Sequence, residues 1–192
     1  MIKLIKLNAS SLDVGLFYGK KSSVNNTYLD KLRITKCLLK AIPRSIGHLK
    51  NVKVVTILDT KLEIVDFGSF AMLQNLRKLD LSSNMIKHVF QTAMSEAHFP
   101  SLIGIDLQGN RLKIIDMNIF TSMKSLRWLY LSKNKLDRVE GPIASLKLKD
   151  LRLSSNRLTK LDCCNWNLSS LTDFILSNNK LKRLPTMVSG TQ

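Results

Sequence analysis

One phrase, Leu-x-x-Leu-x-Leu-x-x-Asn-x-Leu, returns through this chain again and again. It reads Leu76, Leu79, Leu81, Asn84 and Ile86, then Leu126, Leu129, Leu131, Asn134 and Leu136, then Leu148, Leu151, Leu153, Asn156 and Leu158. A fixed self-similar period of this length confines a chain to a solenoid, because one unit cannot bury its apolar face alone and must stack on its neighbours. A solenoid presents a long surface, so its default function is binding.

Seven units align on their first leucine-type position: Leu29, Val52, Leu76, Leu102, Leu126, Leu148 and Leu171. They are spaced by 23, 24, 26, 24, 22 and 23 residues. The ninth position holds Cys37, Thr60, Asn84, Asn110, Asn134, Asn156 and Asn179. An Asn amide carries donors and an acceptor together, so a buried one can bond backbone groups of adjacent coils. Cys37 and Thr60 are weaker substitutes at the N-terminal end. Three regions follow: residues 1–28, a degenerate repeat or cap; residues 29–184, seven repeats; residues 185–192, a tail without a polar capping unit. For the first region two readings stand. Ile2, Ile5, Leu7, Ser10 and Leu12 sit at repeat offsets, or Leu16, Phe17 and Tyr18 belong to an irregular cap.

Each Leu-x-Leu segment predicts a short strand. Phe70, Phe120 and Trp166 fall at position 19 of their units, with Met72, Leu73 and Met123 close behind. These are expected to fill the wide outer side of the coil. Residues 116–123 predict a single helical turn. The extra residues of the 26-residue unit, around Glu96–Pro100, predict an outward bulge.

This pattern is similar to that of the leucine-rich repeat superfamily across at least residues 29–184. The resemblance implies an α/β horseshoe: a curved parallel β-sheet on the concave face, with irregular or short helical convex arcs. The phrase Leu158-Thr-Lys-Leu161-Asp162-Cys-Cys-Asn-Trp166, then Leu168 and Leu171, resembles secreted insect leucine-rich repeat proteins, among them the mosquito leucine-rich immune proteins. That finer likeness implies secretion and an innate-immunity type of role.

In such a fold, positions three and five of each unit face the concave side. Position three reads Lys31, Val54, Lys78, Gly104, Trp128, Asp150 and Asp173; position five reads Arg33, Thr56, Asp80, Asp106, Tyr130, Arg152 and Ile175. Trp128 and Tyr130 are expected to point to solvent on one strand, with Asp106, Asp150 and Arg152 beside them. Trp, Tyr and Arg are enriched at binding hot spots, so this is the candidate surface for a protein ligand.

The net charge of +16 favours acidic partners and has no bearing on the fold. Arg111, Lys135, Arg157 and Lys180 follow directly on the Asn column and predict a basic ridge along one edge. Such a ridge suits an anionic surface, heparin-like or nucleic acid, yet no nucleic-acid recognition motif accompanies it.

No catalytic constellation is present. His48, His88 and His98 lie in three different outer arcs, and no Gly-rich phosphate loop occurs, so neither an enzyme nor a cofactor is expected. Cys37, Cys163 and Cys164 are no disulfide framework. Cys163 or Cys164 offers a crosslink to another chain if the protein is extracellular, and the uncapped end offers a second route to a dimer. No window reaches 18 consecutive apolar residues. The N-terminal residues are too broken by lysine for a signal peptide, which leaves an intracellular protein or an incomplete N-terminus. Asn8, Asn25 and Asn167 begin sequons that permit secretion. The expected function is non-enzymatic protein recognition, extracellular and innate-immunity type, with an intracellular scaffold or substrate receptor as the alternative.

Overall fold

A computed structural model describes residues 2–5, 29–92 and 99–185. Its spine is a parallel eight-stranded sheet built from one short strand per coil. The strands are Ile2–Ile5, Lys31–Thr35, Val54–Leu58, Lys78–Asp80, Gly104–Asp106, Trp128–Tyr130, Asp150–Arg152 and Asp173–Ile175. Their register aligns Lys31, Val54, Lys78, Gly104, Trp128, Asp150 and Asp173 side by side. These are the third positions of the seven repeats, so the sequence period is the strand period.

The first strand joins the same sheet, but Ile2 pairs with Leu32. That register lies three residues from the one expected with Ile2 as a first position. Leu16, Phe17, Tyr18, residues 93–98 and residues 186–192 fall outside the described residues.

Alternation along each strand separates the two faces. Leu32, Val55, Leu79, Ile105, Leu129 and Leu151 are all buried, as are the apolar residues two places on, from Ile34 to Leu153. Stacked leucine layers form one continuous core, each fully buried Leu or Ile contributing about 1.5–3 kcal/mol.

The outer arcs contain no α-helix among the described residues. They are single 3-10 turns, Arg44–His48, Phe67–Phe70 and Met117–Phe120, plus small two-stranded parallel sheets. The expected turn within residues 116–123 is therefore present as Met117–Phe120. Asp66 and Asp116 cap two of these turns, each carboxylate accepting from the N–H two residues on, at 2.8 and 2.9 Å. Phe70, Phe120 and Trp166 are buried behind them, with Leu73 and Met123. Met72 does not join them: the residue is 53% exposed, because just past the turn Phe67–Phe70 it is Ala71 and Leu73 on either side of it that face the core.

The Asn column does the work of joining coils. Asn110 donates from Nδ2 to the Leu107 carbonyl of its own coil and to the Leu81 carbonyl of the coil before, both at 3.0 Å. Its Oδ1 accepts from the Ile86 N–H at 3.0 Å. Asn134 and Asn156 repeat the pattern one and two coils later. Asn84 does the same against Thr60, whose hydroxyl donates to Asn84 Oδ1 at 2.7 Å. Asn179 keeps the geometry in a half-buried setting.

The residue just before this column turns left-handed in every coil: Lys36, Asp59, Ser83, Gly109, Lys133, Ser155 and Asn178 have φ between 52° and 66°. Only one of the seven is glycine. The others hold a backbone conformation that costs a side chain of order 1 kcal/mol.

Candidate functional site

The concave face carries one assembled cluster, centred on the strand Trp128–Tyr130. Leu129 points into the core, which sends Trp128 and Tyr130 to the opposite face. Both are half-buried, where the sequence places them in solvent. The reason lies on the neighbouring strand. Gly104 pairs with Trp128 in register, and its missing side chain leaves room for the indole to lie flat across the sheet. A Cβ on Gly104 would overlap the indole atoms Cε2 and Cζ2.

Side chains then stack in a row. Lys78, one strand beyond Gly104, sets its Nζ 5.4 Å from the Trp128 ring centre. The Trp128 and Tyr130 rings lie 5.0 Å apart, tilted by 32°. The Arg152 guanidinium covers Tyr130 at 4.4 Å. Asp150 fastens the far end: it accepts from the Tyr130 hydroxyl at 2.9 Å and from Arg152 Nε and Nη2 at 3.0 and 2.8 Å. Asp150 and Arg152 keep 17% and 41% of their side-chain surface, so the pair adds at most about 1 kcal/mol to stability. Its stronger effect is to hold the guanidinium over the tyrosine ring. Cation–π contacts at such partly open sites add about 0.5–1 kcal/mol each.

The electrostatics follow the geometry. Burial, then the hydrogen bond to Asp150, push the Tyr130 phenol above its ordinary pKa, so it stays a donor. The bond to Asp150 keeps the Arg152 guanidinium firmly charged. Asp106 lies beside Tyr130 in register, but its carboxylate turns to Gln108, accepting from the backbone N–H at 2.9 Å and from Nε2 at 3.2 Å. Burial raises its pKa, with the nearby Asp80 acting in the same direction and the Gln108 bonds opposing. Four of the five expected residues, Trp128, Tyr130, Asp150 and Arg152, thus form one contact network, and Asp106 flanks it. Lys78 and Gly104 belong to the site without having been singled out. The signal was in the sequence: Gly104 is the one glycine in the position-three column, adjacent to its one tryptophan.

Arg111, Lys135, Arg157 and Lys180 are all exposed. Their backbone N–H groups donate to the preceding coil, to Ile86, Leu112, Leu136 and Leu158 in turn, so they rise one per coil. One acidic residue stands near Arg111: Glu63 pairs with Lys87 at 3.0 Å and also feels the Arg111 charge. Among the cysteines, Cys37 and Cys163 are buried and Cys164 is exposed. Burial, aided by Asp162, pushes the Cys163 thiol up to about 12, where it stays protonated at neutral pH. No helix among the described residues is long and apolar enough to cross a membrane.

Residues 75–136 match a family profile described as Leucine rich repeat. A comparison with curated proteins finds no match by sequence. Among solved structures, the chain is similar to the APL1 leucine-rich repeat domain, at 22% identity and a TM-score of 0.55, over 82% of this chain and 45% of that one. It is similar to the leucine-rich repeat domain of APL1B at 18% identity and a TM-score of 0.50, over 81% of this chain and 50% of that one. It is also similar to a plant ice-binding protein at 24% identity and a TM-score of 0.51, over 84% and 68%. The chain spans about half the length of the first two. At these identities the likeness establishes a common fold.

Proposed function

We propose that this leucine-rich repeat solenoid is a non-enzymatic protein-recognition module that takes its partner on the concave face at Trp128 and Tyr130. The observation that carries the reading is the preassembled row Lys78, Trp128, Tyr130, Arg152, laid on Gly104 and tied by Asp150. Large aromatic and guanidinium groups dominate interface energetics. Groups already held in place lose little further freedom on binding, so more of the contact energy appears as affinity.

The test compares baits of the wild-type chain, Trp128→Ala and Arg157→Gln. A partner held by the concave face is retained by Arg157→Gln and lost by Trp128→Ala. Its purified form should lose about 2 kcal/mol of affinity, roughly thirtyfold, on the tryptophan variant. Equal binding by all three folded proteins removes the concave face as the site. A reversed pattern favours the Arg111–Lys180 ridge and an anionic partner.

The motif from Leu158 to Leu171 extends the proposal to a secreted, innate-immunity type of role. Asn167 opens a sequon and is exposed. On protein taken from its own cells, a mobility shift on glycan removal supports secretion. An unmodified Asn167, with the protein in a cytosolic fraction, favours an intracellular scaffold or substrate receptor.

A further inference from the structure

A second surface runs along the edge where the strands begin, opposite the Asn column. A groove of about 300 Å³ lies there, lined by Lys53, Arg77, Arg127, Lys147 and by Asn75, Ser101, Ile103 and Ser125. Among the described residues no acidic side chain lines it, and none of its four cations forms a salt bridge. On the other edge, by contrast, an acidic side chain is close by: Glu63 pairs with Lys87 and feels the charge of Arg111.

The row is also rigid at its base. Lys53, Arg77, Ile103, Arg127 and Lys149 occupy position two of successive coils. Each carbonyl accepts two N–H groups from the next coil, as the Lys53 carbonyl does from Arg77 and Lys78 at 2.8 and 3.1 Å. Side chains add a second ladder: Asn75 donates to the Lys50 carbonyl at 3.1 Å and Ser125 to the Pro100 carbonyl at 2.7 Å. Neighbouring strands stand about 4.8 Å apart, so Arg77 and Arg127, two strands from each other, stand about 10 Å apart. The cations therefore recur on a fixed ruler along a groove whose walls offer amide, hydroxyl and guanidinium groups.

We propose that this edge groove binds a linear sulfated polysaccharide lengthwise, with Arg77 and Arg127 each clasping a sulfate and Lys53 and Lys147 guarding the two ends. Arg presents a planar fork that meets a tetrahedral oxyanion with two parallel hydrogen bonds. The Asn and Ser side chains suit a chain rich in hydroxyl groups. Single-stranded nucleic acid fits less well, because its binding grooves add aromatic platforms for base stacking and no aromatic residue among the described ones lines this one. The site is separate from the Trp128 surface and stands or falls without it.

The experiment uses the full chain and a heparin octasaccharide, measured by calorimetry between 50 and about 300 mM salt. Two double variants remove the same charge: Arg77→Gln with Arg127→Gln in the groove, and Lys135→Gln with Arg157→Gln on the ridge. The groove variant should weaken octasaccharide binding at least about tenfold and flatten the log–log salt dependence by about two, one per lost cation. The ridge variant and Trp128→Ala should bind like wild type. Equal losses in the groove and ridge variants reduce the effect to net charge and overturn the proposal. So does binding of an oligothymidylate as tightly as the octasaccharide. Should the groove variant melt early, Lys53→Gln with Lys147→Gln at the exposed rim provides the same comparison. An unweakened rim variant then overturns it.

Discussion

Replacing Gly104 by Ala sets a methyl group where the Trp128 indole already lies. The sheet backbone cannot yield, because Gly104 is hydrogen-bonded into strands on both sides, so the indole must lift away. An aromatic side chain covers 150–250 Å² when fully packed, and half of that, about 100 Å² at about 25 cal/mol per Å², is about 2.5 kcal/mol. Loss of the Lys78 contact adds about 0.5–1 kcal/mol. Ala in place of Gly returns about 0.5–1 kcal/mol through a less flexible unfolded chain. The net is a destabilisation of about 2.5 kcal/mol, or a fall in Tm of about 5–10 °C for a chain of this size. Tryptophan fluorescence reads the same event. The chain has two tryptophans, and Trp166 is buried with its Nε1 donating to the Gly141 carbonyl, so a red shift reports Trp128 alone. A double-mutant cycle closes the case: with Trp128→Ala in place, Gly104→Ala should be neutral or slightly stabilising. If Gly104→Ala costs as much without the indole as with it, or if Tm and emission do not move, then Trp128 does not rest on Gly104.

Three other outcomes can be measured. Asn110→Ala should cost about 3 kcal/mol in denaturant unfolding, since it strands the buried Ile86 N–H and empties a close-packed site, whereas the half-buried Asn179→Ala should cost about 1 kcal/mol. Lys133→Gly and Ser155→Gly should each raise stability by about 0.5–1 kcal/mol by relieving a left-handed backbone, and Gly109→Ala should lower it by a similar amount. Asp106 has a raised folded pKa, so its protonated carboxyl contributes stability at low pH that is lost as pH rises through that value. Asp106→Asn should therefore be more stable than wild type at neutral pH, and the difference should vanish below the ordinary Asp value of about 3.9. A constant difference across the range would refute that cause.

Much of this was legible because the repeat ties sequence position to spatial position. Once Leu76 and Leu126 are aligned, Trp128 and Asp150 must sit on adjacent strands, and they do. The Asn column was legible for the same reason: an amide at a fixed phase has one use in stacked coils. Pairwise depth was harder to read. Trp128 looks exposed in the alternation of its own strand, and only the gap left by Gly104 on the next strand sinks it. Met72 looked apolar enough for the core, but past the turn ending at Phe70 its neighbours Ala71 and Leu73 take the buried places. Two further signals were present and unread. Asp66, Asp116 and Asp162 each precede a core aromatic by four residues and cap the turn that buries it. The cations of position two share one edge, yet scattered through the chain they read only as net charge.

The Asn ladder has a direction. Each amide completes backbone groups of the coil before it, through the Ile86, Leu112, Leu136 and Leu158 N–H groups in turn. A coil is thus unfinished until its successor has been made. On the ribosome, where residues emerge from the N-terminal side, the growing array always carries one open coil at its leading edge, and every coil behind it is sealed. Lengthening such a protein by whole repeats disturbs none of the coils already closed, whereas deleting the Asn of one repeat unseals the repeat upstream of it.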